Sequence, residues 1–197
     1  MERTTLQAAE RFVVSRKPAV MTDRYVVNRA LPDGSAGEVV AFAEQALLSP
    51  KDQVTVYTDE SQDRVLCTFE ADTVLDVGAV YTVRDEDGSP IGSFREKTLT
   101  SLLRSTWVLD QPGLAELTGR ERNAALAVLR RIWDFLPGTD FVPFAWRRHF
   151  DFTEGGRHWM AVERKFGLRD RYRVHIARPD LDRRLAIAQA VALDALG

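Results

Sequence analysis

Only one cysteine, Cys67, occurs in 197 residues. That excludes an intrachain disulfide framework and any metal site built from several thiolates, and it suits a reducing compartment, so the expected location is cytoplasmic. Histidine is nearly as scarce. His149, His158 and His175 stand at spacings that match no His-Glu-x-x-His or related ligand pattern, so neither a metal nor another cofactor is expected. No run approaches the roughly 18 consecutive apolar residues of a membrane-spanning helix, and the first residues lack the apolar core of a secretory signal. The expectation is a chain that is not secreted and has no transmembrane span. Nor is there an excess of one charge: 27 Lys and Arg against 29 Asp and Glu leave a net of -2, which speaks against nucleic acid as a partner. Gly34-Ser35-Ala36-Gly37 and Gly88-Ser89-Pro90 fall short of a Gly-x-Ser-x-Gly nucleophile motif and read as turns.

What is present is distributed unevenly. Residues 141–184 hold 11 basic and 6 acidic side chains, a local net of +5, which leaves the remainder of the chain at -7. Of the 27 basic residues 23 are Arg and only 4 are Lys, a usage that supplies planar forks suited to phosphate oxygens but that also follows from genomic base composition. A solvated sheet face explains such a basic segment as readily as an anion-binding surface does.

The hydrophobic pattern is that of short strands separated by turn signals about ten residues apart. Residues 11–15, 25–29, 38–43, 54–58, 64–70, 80–84, 90–96 and 106–110 are the expected strands of the first half. Val54 and Val56 alternate with Thr55 and Tyr57, and Cys67 and Phe69 with Thr68 and Glu70, so one face of each is suited to a core. Asp85-Glu86-Asp87-Gly88-Ser89 marks a tight hairpin. A second hairpin is expected over 141–166 around Glu154-Gly155-Gly156, with Phe144, Trp146, Phe150 and Phe152 on one parity. Residues 171–177 form the last strand. Between these elements Thr118-Gly119-Arg120-Glu121 reads as a capping box, and Ala125, Leu129, Ile132, Trp133 and Leu136 recur at helical spacing, so an amphipathic helical insertion is expected over 114–137.

The C-terminal stretch 181–196 is the exception to the amphipathic rule. From Leu185 to Leu196 it is made of helix formers and has almost no polar face, so it must be buried nearly all round. Twelve residues rise only about 18 Å, well short of a bilayer's hydrocarbon core, and a protein interior fits better. A barrel wound around the helix and a groove between sheets are the two alternatives.

Two segments echo each other. Tyr25-Val26-Val27 is followed by Pro32-Asp33-Gly34-Ser35 and Gly37, and Tyr81-Thr82-Val83 by Glu86-Asp87-Gly88-Ser89 and Gly92. With Arg104-Ser105-Thr106-Trp107 and the closing Leu181-Asp182-Arg183-Arg184-Leu185-Ala186-Ile187-Ala188, this pattern resembles the LURP-one-related and phospholipid-scramblase-like proteins. The resemblance implies a tubby-like fold over residues 1–197: a closed β-barrel of about twelve strands around a hydrophobic C-terminal helix. It also implies kinship with proteins that bind phosphoinositide headgroups or move lipids. The chain departs from the animal scramblase-like pattern in having one cysteine, in starting its first expected strand at Arg11, and in carrying Arg178-Pro179-Asp180-Leu181-Asp182-Arg183 where an acidic calcium loop would lie. These departures argue against scramblase activity.

The leading expectation is a non-enzymatic binding or scaffold protein whose basic residues Arg147, Arg157, Arg164, Lys165, Arg169 and Arg171 form a patch for anionic phospholipid headgroups at a membrane surface. No catalytic residue is assigned. Two alternatives remain: an enzyme gathering His149, His158 and a carboxylate such as Asp151 or Glu163, and a structural protomer assembling through the helical insertion.

Overall fold

A computed structural model describes residues 3–18, 22–46, 53–72, 79–97, 105–122, 149–165 and 171–195. A short helix α1 (Arg3–Gln7) precedes twelve strands: β1 (Arg11–Pro18), β2 (Thr22–Ala30), β3 (Ala36–Ala46), β4 (Val54–Tyr57), β5 (Val65–Ala71), β6 (Val80–Arg84), β7 (Pro90–Glu96), β8 (Thr106–Asp110), β9 (Leu117–Glu121), β10 (His149–Glu154), β11 (Arg157–Lys165) and β12 (Arg171–Ile176). A C-terminal helix, α2 (Arg183–Ala195), completes the described elements. Each strand pairs antiparallel with its neighbours in sequence, and β1 closes on β12 with Arg11 opposite His175 and Ser15 opposite Arg171. A closed barrel leaves no strand edge unpaired.

Alternation fixes which side chains face inward. Phe12 and Val14, Tyr25 and Val27, Ala41 and Ala43, Val54 and Val56, Cys67 and Phe69, and Trp107 and Leu109 belong to the core. An eight-stranded barrel fills with its own side chains, and the greater width of twelve strands leaves room for a helix. α2 occupies it: every residue from Arg183 to Leu193 is buried. Small side chains make this approach possible. Ala186, Ala188, Ala190 and Ala192 are fully enclosed, and a Cβ on Gly92 of β7 would lie 2.6 Å from Leu185 Cδ2 of α2. The expected barrel around a buried C-terminal helix is therefore present.

The sequence echo corresponds to two turns of one construction. Leu31 N–H bonds Ser35 O at 2.9 Å and Gly34 N–H bonds Leu31 O at 2.8 Å, while Asp85 N–H bonds Ser89 O at 2.9 Å and Gly88 N–H bonds Asp85 O at 3.0 Å. Gly34 and Gly88 hold φ of 78° and 82°, a conformation that glycine adopts without Cβ strain.

One expectation needs correction. Thr118-Gly119-Arg120-Glu121 is not the start of a helix but most of β9, paired with β8 and β10. Gly119 faces inward against Phe152, whose ring would lie 2.4 Å from a Cβ there, and Thr118 and Arg120 face outward. The insertion therefore does not begin at 114, and the helix expected after Glu121 lies outside the described residues, as do Phe144 and Trp146.

The mouth where α2 enters is closed by polar chemistry. Asp182 caps the helix by accepting Arg184 N–H at 2.8 Å, and Gln111 Oε1 accepts Asp182 N–H at 2.7 Å. Gln7 of α1 donates to the carbonyls of Pro179 and Leu181 at 3.0 and 2.9 Å and accepts Arg183 N–H at 3.2 Å. At the opposite end Asp194 accepts the Tyr172 hydroxyl and lies 3.6 Å from Arg16 Nη1, while Arg16 Nη2 bonds Asp23 Oδ2 at 2.7 Å.

Candidate anion-binding face

The outward parity of β12 presents Arg171, Arg173 and His175 in succession. Their register partners extend the run: Lys165 lies opposite Arg171 on β11, and Arg11 lies opposite His175 on β1. Adjacent outward residues on one strand are about 7 Å apart, so Arg171, Arg173, His175 and Arg11 form a basic stripe across β12 and β1. Glu163, opposite Arg173, is the acidic residue beside it.

Beside the stripe the turn between β2 and β3 folds back over the barrel wall. Gly34 O accepts Arg173 Nη2 at 3.2 Å. Between this turn and β10 lies an open groove of about 520 Å³, with β11, β12 and β1 as its floor and Arg11, Arg173, His158, His175 and Trp159 among its lining. A β-bulge helps to build it. Phe152 pairs with Met160 but Thr153 pairs with His158, so the register shift places His158 opposite an outward residue.

On its far side Arg122 makes a bidentate contact with Asp151, both distances being 2.7 Å. Burial would raise the Asp151 carboxyl pKa, but the Arg122 hydrogen bonds and charge, with help from His149 and His158, hold it below the usual carboxylate range. His149 Nε2 lies 3.0 Å from Glu163 Oε1 and 3.7 Å from Asp151 Oδ1. Its pKa is depressed, first by burial and then by Arg122, against the opposing pull of Glu163 and Asp151.

The six residues singled out in the sequence do not form one compact cluster. Lys165 and Arg171 are cross-strand partners at one end of β11, whereas Arg157 begins that strand, about 27 Å away along its axis. Arg157 lies over the Trp159 ring at 5.2 Å, and Arg178 lies over the same ring at 5.1 Å. Arg164 has the inward parity and lies 5.8 Å from the Tyr172 ring near the barrel mouth. Arg147 and Arg169 lie outside the described residues. His149 and His158 do not face each other, because their partners are Glu163 and Thr153. The sequence reading missed Arg11, Arg122 and Arg173 as groove residues. For Arg173 the signal was present, since it lies in the basic stretch on the parity of Arg171.

Cys67 is not part of any such site. It is fully enclosed, its Sγ lies 3.9 Å from Arg184 O, and burial pushes its thiol up to about 12. Among the described residues no group of three or more His, Cys, Asp or Glu side chains is arranged to hold a metal ion, and no helix is long and apolar enough to cross a membrane.

The combination defines a β-barrel protein with a helix at its centre and a short basic stripe on its outer wall. The LURP-one-related family profile matches residues 39–194, most of the chain, and the protein belongs to that family. No curated protein matches the chain, and no solved structure matches it.

Proposed function

We propose that this LURP-one-related chain is a non-enzymatic cytoplasmic binding module that docks its basic wall on anionic phospholipid headgroups at a membrane surface. The observation that carries the reading is the stripe of Arg171, Arg173, His175 and Arg11 across β12 and β1 of a chain whose net charge is -2, with Lys165 the register partner of Arg171 on β11. Arg157 begins β11 at its far end, Arg164 has the inward parity, and Arg147 and Arg169 belong to the same basic stretch of sequence. Each basic residue near an anionic bilayer contributes about 1 kcal/mol, so several act together and the attraction weakens with salt.

A binding role is also supported by the chemistry of the groove. No Ser, Thr, Cys or Tyr is among its described lining residues, and both oxygens of Asp151 are held by Arg122. Among its described lining residues the groove thus offers no hydroxyl or thiol nucleophile.

Co-sedimentation with phosphatidylglycerol vesicles tests the proposal. The wild-type chain is expected to pellet at low salt and to be released at high salt, and Lys165→Glu/Arg171→Glu is expected to remain in the supernatant. Failure of the wild type to pellet at low salt, or equal pelleting of the charge-reversed protein, overturns it.

A further inference from the structure

We infer that the groove beside the stripe is a site for one phosphomonoester group, so that the basic wall distinguishes monoester from diester phosphates. This deepens the anion-binding reading above and rests on it.

The argument starts from which charges in the groove are already matched. Two of the three described lining carboxylates are hydrogen-bonded, and the third, Glu163, stands beside His149 and opposite Arg173. Asp151 is held by Arg122, Asp33 Oδ1 accepts Ser35 N–H and Oγ–H at 2.9 and 2.7 Å, and Glu163 lies 3.0 Å from His149. The donor side is matched only in part. Arg173 commits one N–H to Gly34 O and its charge helps to hold the Asp33 carboxyl down, as His158 does for Asp151, whereas the side chains of Arg11 and His175 have no hydrogen bond or ion pair among the described residues. An exposed guanidinium alone is commonplace. Two guanidiniums and two imidazoles from three adjacent strands around one concavity are a donor set of which Arg11, His175 and the remaining Arg173 N–H groups have no acceptor among the described residues.

Shape and charge then select the ligand. A groove of about 520 Å³ falls within the size range of small-molecule sites and exceeds what a bare ion needs. A phosphomonoester brings three terminal oxygens and nearly two negative charges, whereas a diester brings two such oxygens and one charge. Guanidinium forks take phosphate oxygens in pairs, and an imidazole donates an N–H whether neutral or protonated, so Arg11, Arg173, His158 and His175 can use all three oxygens of the monoester. The diester leaves part of the donor set without an acceptor. The same chemistry is offered by a lipid such as phosphatidic acid and by a soluble phosphate ester.

Calorimetric titration of the full chain with glycerol 3-phosphate and with dimethyl phosphate is paired with sedimentation on phosphatidic acid and on phosphatidylglycerol vesicles. The monoester is expected to bind at least about tenfold more tightly than the diester in one or both formats, the effect of one charge-assisted hydrogen bond. Binding of glycerol 3-phosphate in solution identifies a soluble source, and a preference seen only on phosphatidic acid vesicles identifies a lipid. Arg11→Gln/Arg173→Gln is expected to abolish the preference with an unchanged circular dichroism spectrum. Exposed His175→Asn serves as a second variant, expected to weaken the preference, should the double substitution fail to fold. Equal affinity for monoester and diester in both formats, or a preference that survives the variants, overturns the inference. Vesicle binding without that preference removes the groove site and leaves the membrane reading standing. Monoester binding in solution without any vesicle binding removes the membrane reading and leaves the groove.

Discussion

Arg183 and Arg184 sit at the N-terminus of α2, where the helix dipole disfavours a positive charge, and both are buried. Their surroundings offset that cost with acceptors. Arg183 donates to the carbonyls of Ala9, Leu181 and Arg178 at 2.6, 2.6 and 2.9 Å, and Arg184 bonds both oxygens of Asp182 and reaches Glu86 at 3.2 Å. Leaving either guanidinium without these partners would strand a charge in the protein interior. Gln189, further along the helix, lacks such matching: it is fully enclosed, and neither side-chain polar atom has a hydrogen-bond partner among the described residues. An unsatisfied buried polar group costs about 1–3 kcal/mol, and a methionine of similar length removes the demand. Gln189→Met is expected to raise Tm by about 2–4 °C per kcal/mol recovered in a chain of this size. A lower Tm by calorimetry would mean that the amide is satisfied in solution.

At the scale of elements, the distance between α2 and the barrel wall is set by glycine on the strand side. A Cβ on Gly92 would stand 2.5 Å from Asp110 O of β8 and 2.6 Å from Leu185 Cδ2. Neither neighbour has an easy retreat, because one is backbone and the other is fully buried in the core. Gly92→Ala is therefore expected to destabilise the chain by about 1–3 kcal/mol in urea unfolding, and a change within error would show that α2 can shift at little cost. Elements whose inner face is apolar were legible in the sequence, as β4 and β5 show through Val54, Val56, Cys67 and Phe69. β9 was not. Its inward positions are Leu117, Gly119 and Glu121, which give no apolar alternation because Gly119 leaves its space to the ring of Phe152. Thr118 and Glu121, which imitate a capping box, face opposite sides of the barrel wall. The groove was illegible for a different reason. Arg11 and His175 become neighbours only through closure of β1 on β12, a pairing between the two ends of the strand order that no local pattern encodes.

At the scale of the whole molecule, barrel and helix form one cooperative unit. The core cluster runs from Leu6 of α1 through every strand face to Leu193 of α2, and the closed order offers no edge strand from which unfolding could start. Cys67 reports on that unit because it is the chain's single thiol, lies fully enclosed on β5 and packs against the first turn of α2. With its pKa pushed up to about 12, chiefly by burial, the thiol in place is neither accessible nor ionised near neutral pH. Labelling by an aromatic disulfide reagent must therefore wait for an opening that separates β5 from α2. If the only such opening is global, labelling in native buffer will be at least about 10³-fold slower than in the unfolded chain, since domain stabilities are several kcal/mol. Added urea will then accelerate labelling with the slope that far-UV circular dichroism gives for complete unfolding. Rapid labelling with little urea dependence, alongside a steep circular dichroism transition, would show that β5 parts from the helix while the barrel stands, and the single-unit account would fail.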